Sequence, residues 1–311
     1  MATLLEIRRR IKSVKNIGQV TRAMQAVAAS RMQRAQAQVK ATRVYAEKAW
    51  EVLTHLAAQG KEGEELHPLL QVRPLHTVVL VLLTGDRGLC GAFNHNIIMK
   101  AVDFIEASER PVKLITVGRK GRDYMLRRGE DIVAEFTGIP DQPRLVDVTP
   151  IARVAIVGFL EGRFDQVCLA YSDFISVLNQ QPTVKRLLPI MPAEVETQAM
   201  GEYVEGVRLP SAIEYIYEPD PRSILDQVLP RFTELQIYQA VLESIASEHS
   251  ARMVAMRNAS DNAEELVGGL TLEFNKARQR AITLEIMDIA GGAEALAQAR
   301  AYSGFHVGLI Q

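Results

Sequence analysis

Proline is absent from both ends of this chain. All 13 prolines of the 311 residues lie between Pro68 and Pro230. A proline inside a helix removes a backbone hydrogen bond and collides with the preceding turn, so its absence permits a very long helix at each end. Asp220 and Pro221 provide a start for the C-terminal helix, because Asp caps free N–H groups and Pro suits the first helical position.

Other scarce features exclude several classes of protein. The two cysteines, Cys90 and Cys168, lie far apart in apolar surroundings, which favours reduced core thiols over a disulfide scaffold. No uncharged apolar run approaches the length of about 18 residues that a membrane span needs. No secretory signal is expected, because Leu4 and Leu5 are followed at once by charge. The six histidines show no metal-ligand spacing, and neither G-x-S-x-G nor H-E-x-x-H occurs. We therefore predict no catalytic, metal or cofactor site.

The C-terminal stretch has the periodicity of a coiled-coil seam. A stripe of mostly apolar and small residues, with His249 and Arg252 among them, recurs there at alternating steps of three and four. They are Leu235, Tyr238, Leu242, Ile245, His249, Arg252, Met256, Ala259, Ala263, Leu266, Leu270, Phe274, Ala277, Ala281 and Leu284. About 70 helical residues at ~1.5 Å each make a rod of roughly 100 Å, which a chain of this size cannot bury in its own core. We therefore predict that the rod projects.

The N-terminal stretch predicts a second long helix. Thr3-x-x-Glu6 is a capping-box pattern, and the helix should run to Ala58, just before Gly60. Its stripe at steps of three and four is Leu4, Ile7, Ile11, Val14, Gly18, Thr21, Gln25, Ala28, Met32, Ala35 and Val39. Two such helices favour an antiparallel coiled coil into which the middle of the chain is inserted.

The C-terminal helix should extend past its partner, since it is longer by roughly twenty residues, or about 30 Å. Its distal end is apolar on nearly all faces, with Ile282, Leu284, Ile286, Met287, Ile289 and Ala290. A lone helix with this profile is stable only inside a sleeve of other protein. The sequence therefore predicts a partner with a hole.

The middle of the chain predicts a Rossmann-like α/β domain. Strand patterns at 76–83, 112–117, 131–136 and 166–171 alternate with helical patterns at 92–108, from Arg119, and from Thr149-Pro150 to Gly162. Two further strands, 183–191 and 214–217, follow without intervening helices, and 192–210 should be a loop. This order indicates a mixed, mostly parallel sheet. The predicted organisation is a helix at 1–67, an α/β domain at 68–219, and a helix with a tail at 220–311.

The glycine-rich loop after the first strand has two interpretations. It contains Gly85, Gly88 and Gly91 in the spacing G-x-x-G-x-x-G, which is neither the dinucleotide fingerprint nor the phosphate loop. We interpret it as a tight strand-to-helix turn. The alternative is an α/β enzyme with helical arms, which predicts a saturable nucleotide site at this loop. Ser247-Glu248-His249 is not a triad, because consecutive residues of a helix do not face each other.

Basic residues concentrate at the N-terminus. The net charge is −1, but residues 1–43 hold ten Lys or Arg against one acid, Glu6. A helix with this excess repels itself unless an acidic surface lies nearby, which favours an acidic protein partner. The alternative is a nucleic-acid arm with salt-sensitive binding. The absence of aromatic residues before Tyr45 argues against that alternative.

Long, ordered sequence blocks resemble a known family. They are IRRRIKSV at 7–14, TRAMQAVAASRM at 21–32, DRGLCGAFN at 86–94, LESIASEHSARMVAM at 242–256, DNA at 261–263, NKARQ at 275–279 and ITLEI at 282–286. With these blocks at both ends and in the α/β domain, the chain resembles the gamma subunit of F-type ATP synthase, the rotating central shaft.

The resemblance implies a non-catalytic rotor subunit without a cofactor or a direct small-molecule substrate, and with no nucleic acid. In that family the coiled coil stands inside a ring of α and β subunits, and the foot sits with the epsilon subunit on the membrane c-ring. Proton flow turns the shaft, and ATP is made on the β subunits. The segment 192–210 has no cysteine. This implies the bacterial type without the chloroplast redox insert, peripheral on the cytoplasmic face of the plasma membrane.

The resemblance also assigns roles to residues. The coupling contacts to β and α are Met24, Arg22, Arg252, Gln279, Thr283 and Glu285. The apolar bearing tip is Ile282, Ile286, Met287 and Ile289, and the foot loop contains Gly85, Arg87, Gly88, Cys90 and Gly91. Family members end close to the equivalent of Leu296, so the remaining tail is expected to extend through or fold over the bearing. Gly291-Gly292 is expected to end or loosen the helix first.

Overall fold

The computed structural model describes residues 3–59, 67–191 and 221–307. The elements in chain order are α1 (Leu4–Gln59), a 3-10 helix (Pro68–Leu70), β1 (Val78–Leu83), α2 (Phe93–Ala107), β2 (Val112–Val117), α3 (Arg119–Arg128), β3 (Ile132–Phe136), α4 (Leu145–Leu160), β4 (Gln166–Phe174), β5 (Gln180–Leu188) and α5 (Pro221–Val307). The described residues form two compact units, one from 1–23 and 257–311 and the other from 24–256. The loop predicted at 192–210 and the strand predicted at 214–217 lie outside the described residues.

The two long helices confirm the prediction from proline distribution. At the start of α1, the backbone N–H of Thr3 donates to Glu6 Oε2 at 2.7 Å, and that of Glu6 donates to Thr3 Oγ1 at 3.3 Å. This is the reciprocal capping box that the sequence predicts. Helix α5 begins at Pro221, as expected. The domain division at 67 and 219 remains a prediction.

The central sheet has the strand order β3-β2-β1-β4-β5, and all pairs are parallel except β4 with β5. This confirms the predicted mixed, mostly parallel sheet, with the strand order of a doubly wound fold. All six residues of the central strand β1 are buried, which is why it reads as an unbroken apolar run. Strands β4 and β5 extend further toward their shared turn than predicted, because the ladder there includes polar residues that an apolar pattern misses, namely Ser172, Asp173, Gln180 and Gln181.

Each face of the sheet carries its own core. On one face, Val79, Val81 and Leu83 pack with α4 and with residues 229–242 of α5. On the other face, Val78, Leu80 and Leu82 pack with α2 and with Met125 of α3. The first part of α5 is therefore a core helix of the α/β unit. The stripe from Leu235 predicts a projecting rod, but its first residues, Leu235, Tyr238 and Leu242, are buried in this core.

Helix α4 begins earlier than predicted. It starts at Leu145 rather than at Thr149-Pro150, and Pro150 lies inside it. The start signal is Asp147, whose carboxylate accepts the backbone N–H of Arg144 at 2.7 Å. Because Pro150 has no N–H, the carbonyl of Val146 loses its helical hydrogen-bond donor. Val146 is largely exposed, so this carbonyl lies near solvent.

Helix α5 does not end at Gly291-Gly292, contrary to the sequence expectation, but continues to Val307. Each glycine costs about 1 kcal/mol relative to alanine. The strong helix formers that follow, Ala293 to Ala297 with Glu294 and Leu296, favour continuation. The tail after Leu296 is therefore helical as far as the structure describes it.

In the unit formed by the two chain ends, α1 and α5 pack closely and antiparallel. The hydroxyl groups of Thr21 and Ser260 are 2.7 Å apart, and a Cβ added to Gly18 would lie 3.3 Å from the Cβ of Ala263. The contacts pair residue 21 with residue 260 and residue 18 with residue 263, so the two helices run in opposite directions. This confirms the predicted antiparallel coiled coil. One seam position is corrected: Leu266 is exposed, and the neighbouring Val267 is half-buried, because the seam follows Ser260, Ala263 and Val267.

Candidate functional site

The distal part of α5 is a helix without a neighbour among the described residues of its unit. Every residue from Arg278 to Gln298 is exposed. The large apolar side chains there retain about half to two-thirds of their surface: Ile282 48%, Leu284 60%, Ile286 61%, Met287 63% and Ile289 68%. Successive residues of a helix are about 100° apart, so these side chains point to several sides. The side chains of the predicted bearing tip are therefore exposed to solvent on several sides of the helix.

Three predicted coupling residues lie on the same exposed stretch. Gln279, Thr283 and Glu285 are all exposed. The hydroxyl of Thr283 donates to the backbone carbonyl of Gln279 at 2.9 Å, a bond within one turn that keeps the hydroxyl satisfied without a partner protein. Gln279 and Glu285 therefore add exposed polar side chains to the same stretch as the apolar tip.

Arg22 and Met24 lie on α1. Arg22 forms an ion pair with Glu264 of α5 at 3.4 Å, and the two side chains are 70% and 77% exposed. Such surface pairs contribute only about 0–1 kcal/mol, so the guanidinium can exchange this carboxylate for another at little cost. Met24 is half-buried in the α/β unit. The residues Arg8, Arg9, Arg10, Lys12 and Lys15 are exposed along the first turns of α1.

The predicted foot loop connects β1 to α2 and is held by its own hydrogen bonds. The backbone N–H of Gly85 donates to Asn94 Oδ1 at 2.8 Å, and Asn94 Nδ2 donates to the carbonyl of Arg87 at 3.3 Å and to Cys90 Sγ at 3.2 Å. Leu89 adopts a positive φ of 60° although it is not a glycine. The loop is therefore a tight strand-to-helix turn, as interpreted from the sequence.

Helix α5 places the carboxylate of Glu248 against this loop. A Cβ placed on Gly85 would lie 2.8–2.9 Å from the carboxyl atoms of Glu248, so a side chain there would displace this carboxylate. Arg252, one turn further on, donates to Glu248 and also to the carbonyl of Gly88 at 3.3 Å. Burial raises the pKa of Glu248, and Arg252 lowers it. A carboxylate where a nucleotide phosphate would have to approach is unfavourable for a nucleotide site.

The coupling contact that the resemblance implies for Arg252 stays a prediction. Within the α/β unit, 11% of the Arg252 side chain is exposed, and its guanidinium forms a further bond to His249 Nδ1 at 3.2 Å. His249 also faces Asp141 at 3.5 Å, and Asp141 forms an ion pair with Arg31 of α1. Burial, together with Arg252 and Arg31, lowers the pKa of His249 to about 4, against the opposing effect of Asp141.

Ser247, Glu248 and His249 each contact a different part of the α/β unit and do not form a triad. Ser247 Oγ donates to the carbonyl of Ser172 in β4 at 3.0 Å, while Glu248 faces the foot loop and His249 faces Asp141. Sequence reasoning excluded the triad correctly but assigned these residues no role. Their position in the sequence could have indicated this role, because consecutive polar residues lie on different sides of a helix and imply polar neighbours on those sides.

The other chemical groups of the described residues give no sign of catalysis. The two cysteines are free and buried, as the sequence predicts. No cluster of His, Cys, Asp and Glu suited to a metal ion occurs in the described part of the chain.

Within residues 3–59, 67–191 and 221–307, none of the helices combines the length and the apolar character needed to cross a membrane.

Comparison with known proteins gives a consistent result. The family profile described as "ATP synthase" matches residues 3–296. The chain is 50% identical over 307 residues to the ATP synthase gamma chain of Herpetosiphon aurantiacus, covering 96% of this chain and 100% of that protein. It is 48% identical over 297 residues to that of Dehalococcoides mccartyi strain CBDB1, with the same coverage.

Solved structures share the fold. A chain of the Euglena gracilis mitochondrial ATP synthase, described as OSCP/F1/c-ring in rotational state 3, is similar with a TM-score of 0.63 at 17% identity, covering 96% of this chain and 95% of that one. A chain of the Tetrahymena thermophila mitochondrial enzyme, described as central stalk/c-ring, has a TM-score of 0.56 at 24% identity, covering 78% and 99%. At these identities the likeness concerns the fold.

Proposed function

Starting from the premise that this chain belongs to the ATP synthase gamma chain family, we propose that it is the central-stalk rotor of a proton-translocating F-type ATP synthase. One copy stands within a hexamer of α and β subunits and couples proton flow through the c-ring to ATP synthesis or hydrolysis on β. The chain itself is non-catalytic. The observation that carries this proposal is the bare apolar end of α5.

Exposure of the apolar tip to water is unfavourable in free energy, which favours a surrounding ring of protein. Burying one Ile, Leu or Met side chain contributes about 1.5–3 kcal/mol. Five such side chains, on several sides of one helix, stay largely in contact with water in the isolated chain. A flat docking surface would cover one side, whereas a ring of subunits covers all of them. Ile282, Ile286, Met287 and Ile289 would then form the bearing surface.

The polar residues beside the tip and on α1 would provide coupling contacts. Gln279, Thr283 and Glu285 lie exposed on the same helix as the bearing. Arg22 and Met24, with the basic face of α1, would approach acidic loops of β. The weak pair between Arg22 and Glu264 can open for such a contact. Arg252 would influence coupling from inside the α/β unit, where it holds the foot loop.

The α/β unit would form the foot that binds the epsilon subunit and the c-ring. Support comes from the similar structures, which are described as central stalk/c-ring and as OSCP/F1/c-ring. The curated relatives are bacterial. A peripheral location on the cytoplasmic face of the bacterial plasma membrane follows from this assignment.

Reconstitution tests the proposal. The chain is co-expressed with the α and β subunits of its own complex, and we expect one copy per hexamer and an ATPase activity that requires it. Ile286→Asp should block assembly, while Val146→Asp, at an apolar residue of α4 with the same 61% exposure, should not. A chain that joins no hexamer and instead binds nucleic acid in a salt-sensitive manner would overturn the proposal in favour of a basic-arm binding protein.

A further inference from the structure

Helix α5 is attached to the α/β unit by directional bonds from three sides. Over little more than one turn it donates to backbone carbonyls of three segments. Ser247 binds Ser172 in β4 at 3.0 Å, Ser250 binds Val177 in the β4–β5 turn at 2.7 Å, and Arg252 binds Gly88 in the foot loop at 3.3 Å. Hydrogen bonds weaken steeply when their angle changes, so this turn resists rotation more than an apolar contact does.

The foot-loop side of this attachment has a steric part and an ionic part. Glu248 occupies the space that the missing side chain of Gly85 leaves, and Arg252 holds the same carboxylate while it reaches Gly88. Glu248 and Arg252 are four residues apart, so they lie one above the other on one face of α5. Sliding the helix along its axis or turning it about its axis would break both contacts together.

We infer that Glu248 is a positioning residue that locks α5 to the loop at 85–91, so that the helix does not slip against the sheet when the chain carries torque. This inference rests on the proposed rotor function. The lock is the fit of the Glu248 carboxylate against Gly85, with Arg252 as the clamp that holds it there.

The chemistry of the pair favours a role in registration over a role in stability. Burial raises the pKa of Glu248, and Asp141 and Asp86 raise it as well, while Arg252 opposes them. An apolar side chain of similar size would avoid this desolvation. Buried ion pairs contribute little net stability, and their best-attested use is to specify one register of packed helices.

The test is a set of variants in which Gly85 and Glu248 compete for the same space. Gly85→Ala should displace the Glu248 carboxylate. Gly85→Ala combined with Glu248→Asp, which is one methylene shorter, should restore the fit. Gly88→Ala is the matched structural control, because a Cβ there meets nothing within 4 Å. Amide hydrogen exchange of residues 85–91 in the full chain should become about tenfold faster in Gly85→Ala, because loss of a hydrogen bond to a charged group costs at least about 1.4 kcal/mol, a factor of ten in the opening equilibrium. It should stay unchanged in Gly88→Ala.

In the reconstituted complex, the readout is the number of protons pumped per ATP hydrolysed. Gly85→Ala should lower this ratio by about twofold or more, as expected for residues coupled by direct contact, and the double variant should recover it. Thermal unfolding midpoints of all variants separate slippage from simple destabilisation, because Gly158→Ala, where a Cβ would lie 2.2 Å from the Phe164 ring, should lower the midpoint without lowering the ratio. A ratio that merely follows the midpoint, or an absence of rescue by Glu248→Asp, would overturn the inference. Failure of the wild-type chain to support any ATPase would instead refute the rotor function, and the exchange experiment would still test the lock.

Discussion

Replacing Thr21 by valine should weaken the helix pair formed by the two chain ends. Thr21 and Ser260 are both buried in the seam, with their hydroxyl oxygens 2.7 Å apart. Thr21 Oγ1 also lies 3.1 Å from the carbonyl oxygen of Gly18, and either hydroxyl can be the donor across the seam. Valine keeps nearly the same shape but removes the hydroxyl.

The magnitude follows from the one hydrogen bond that joins the two buried hydroxyl groups. Thr21→Val removes this bond, at a cost of about 0.5–1.5 kcal/mol. Ser260→Ala removes the same bond and should cost a similar amount. The double variant should cost less than the sum, since the two single variants lose the same bond.

Amide hydrogen exchange of residues 4–23 in the full chain measures the opening of this unit separately from the rest of the molecule. Thr271→Val is the matched control, because it removes the same hydroxyl from an exposed site on α5 and should change the opening free energy by less than about 0.5 kcal/mol. The reasoning is refuted if Thr21→Val costs no more than Thr271→Val, or if the effects of Thr21→Val and Ser260→Ala are strictly additive.

Three further outcomes are expected. Gly118→Ala should destabilise the chain by about 3 kcal/mol or more in denaturant unfolding, because its φ is 93° and a Cβ would lie 2.0 Å from the carbonyl oxygen of Thr84. Gly129→Ala, where φ is 84° but nothing lies within 4 Å, should cost only about 1–2 kcal/mol; equal costs would contradict the steric argument. Since the pKa of His249 is lowered from 6.5 to about 4, the free energy of unfolding should fall as the pH drops from 6.5 towards 4. His249→Gln should flatten that dependence, and an unchanged slope would assign it to other groups. Burial raises the pKa of Cys168 to about 11 and also raises that of Cys90, so neither thiol should react quickly with a maleimide at pH 7 until the chain unfolds; rapid labelling of either in the native chain would show that its site opens.

Much of the architecture could be predicted from local patterns. The absence of proline outside Pro68–Pro230 indicated two long helices, and the capping box at Thr3 and Glu6 located the start of α1. The unbroken apolar run of β1 indicated a central strand of a parallel sheet. These features depend on neighbouring residues only, which is why a single sequence reveals them.

The errors have a common cause. The sequence predicts helix boundaries at Thr149-Pro150 and at Gly291-Gly292, but a proline near solvent and two glycines among strong helix formers are tolerated. The spacing of Leu266 predicts that it lies in the coiled-coil seam, yet the observed seam passes through Val267. A period of three and four leaves two adjacent positions possible, and only the partner helix selects one of them.

The sequence by itself determined that this chain has two long helices, an inserted α/β domain, and an apolar helix end that needs a sleeve. Tertiary structure alone decided that the first part of α5 is buried on the sheet, that Glu248 occupies the space beside Gly85, and that Arg252 is held inside the α/β unit. The physical reason is sequence separation. Arg252 and Gly88 are 164 positions apart. No local propensity encodes a contact between them, and it exists only because the packed sheet brings the end of β1 under the helix.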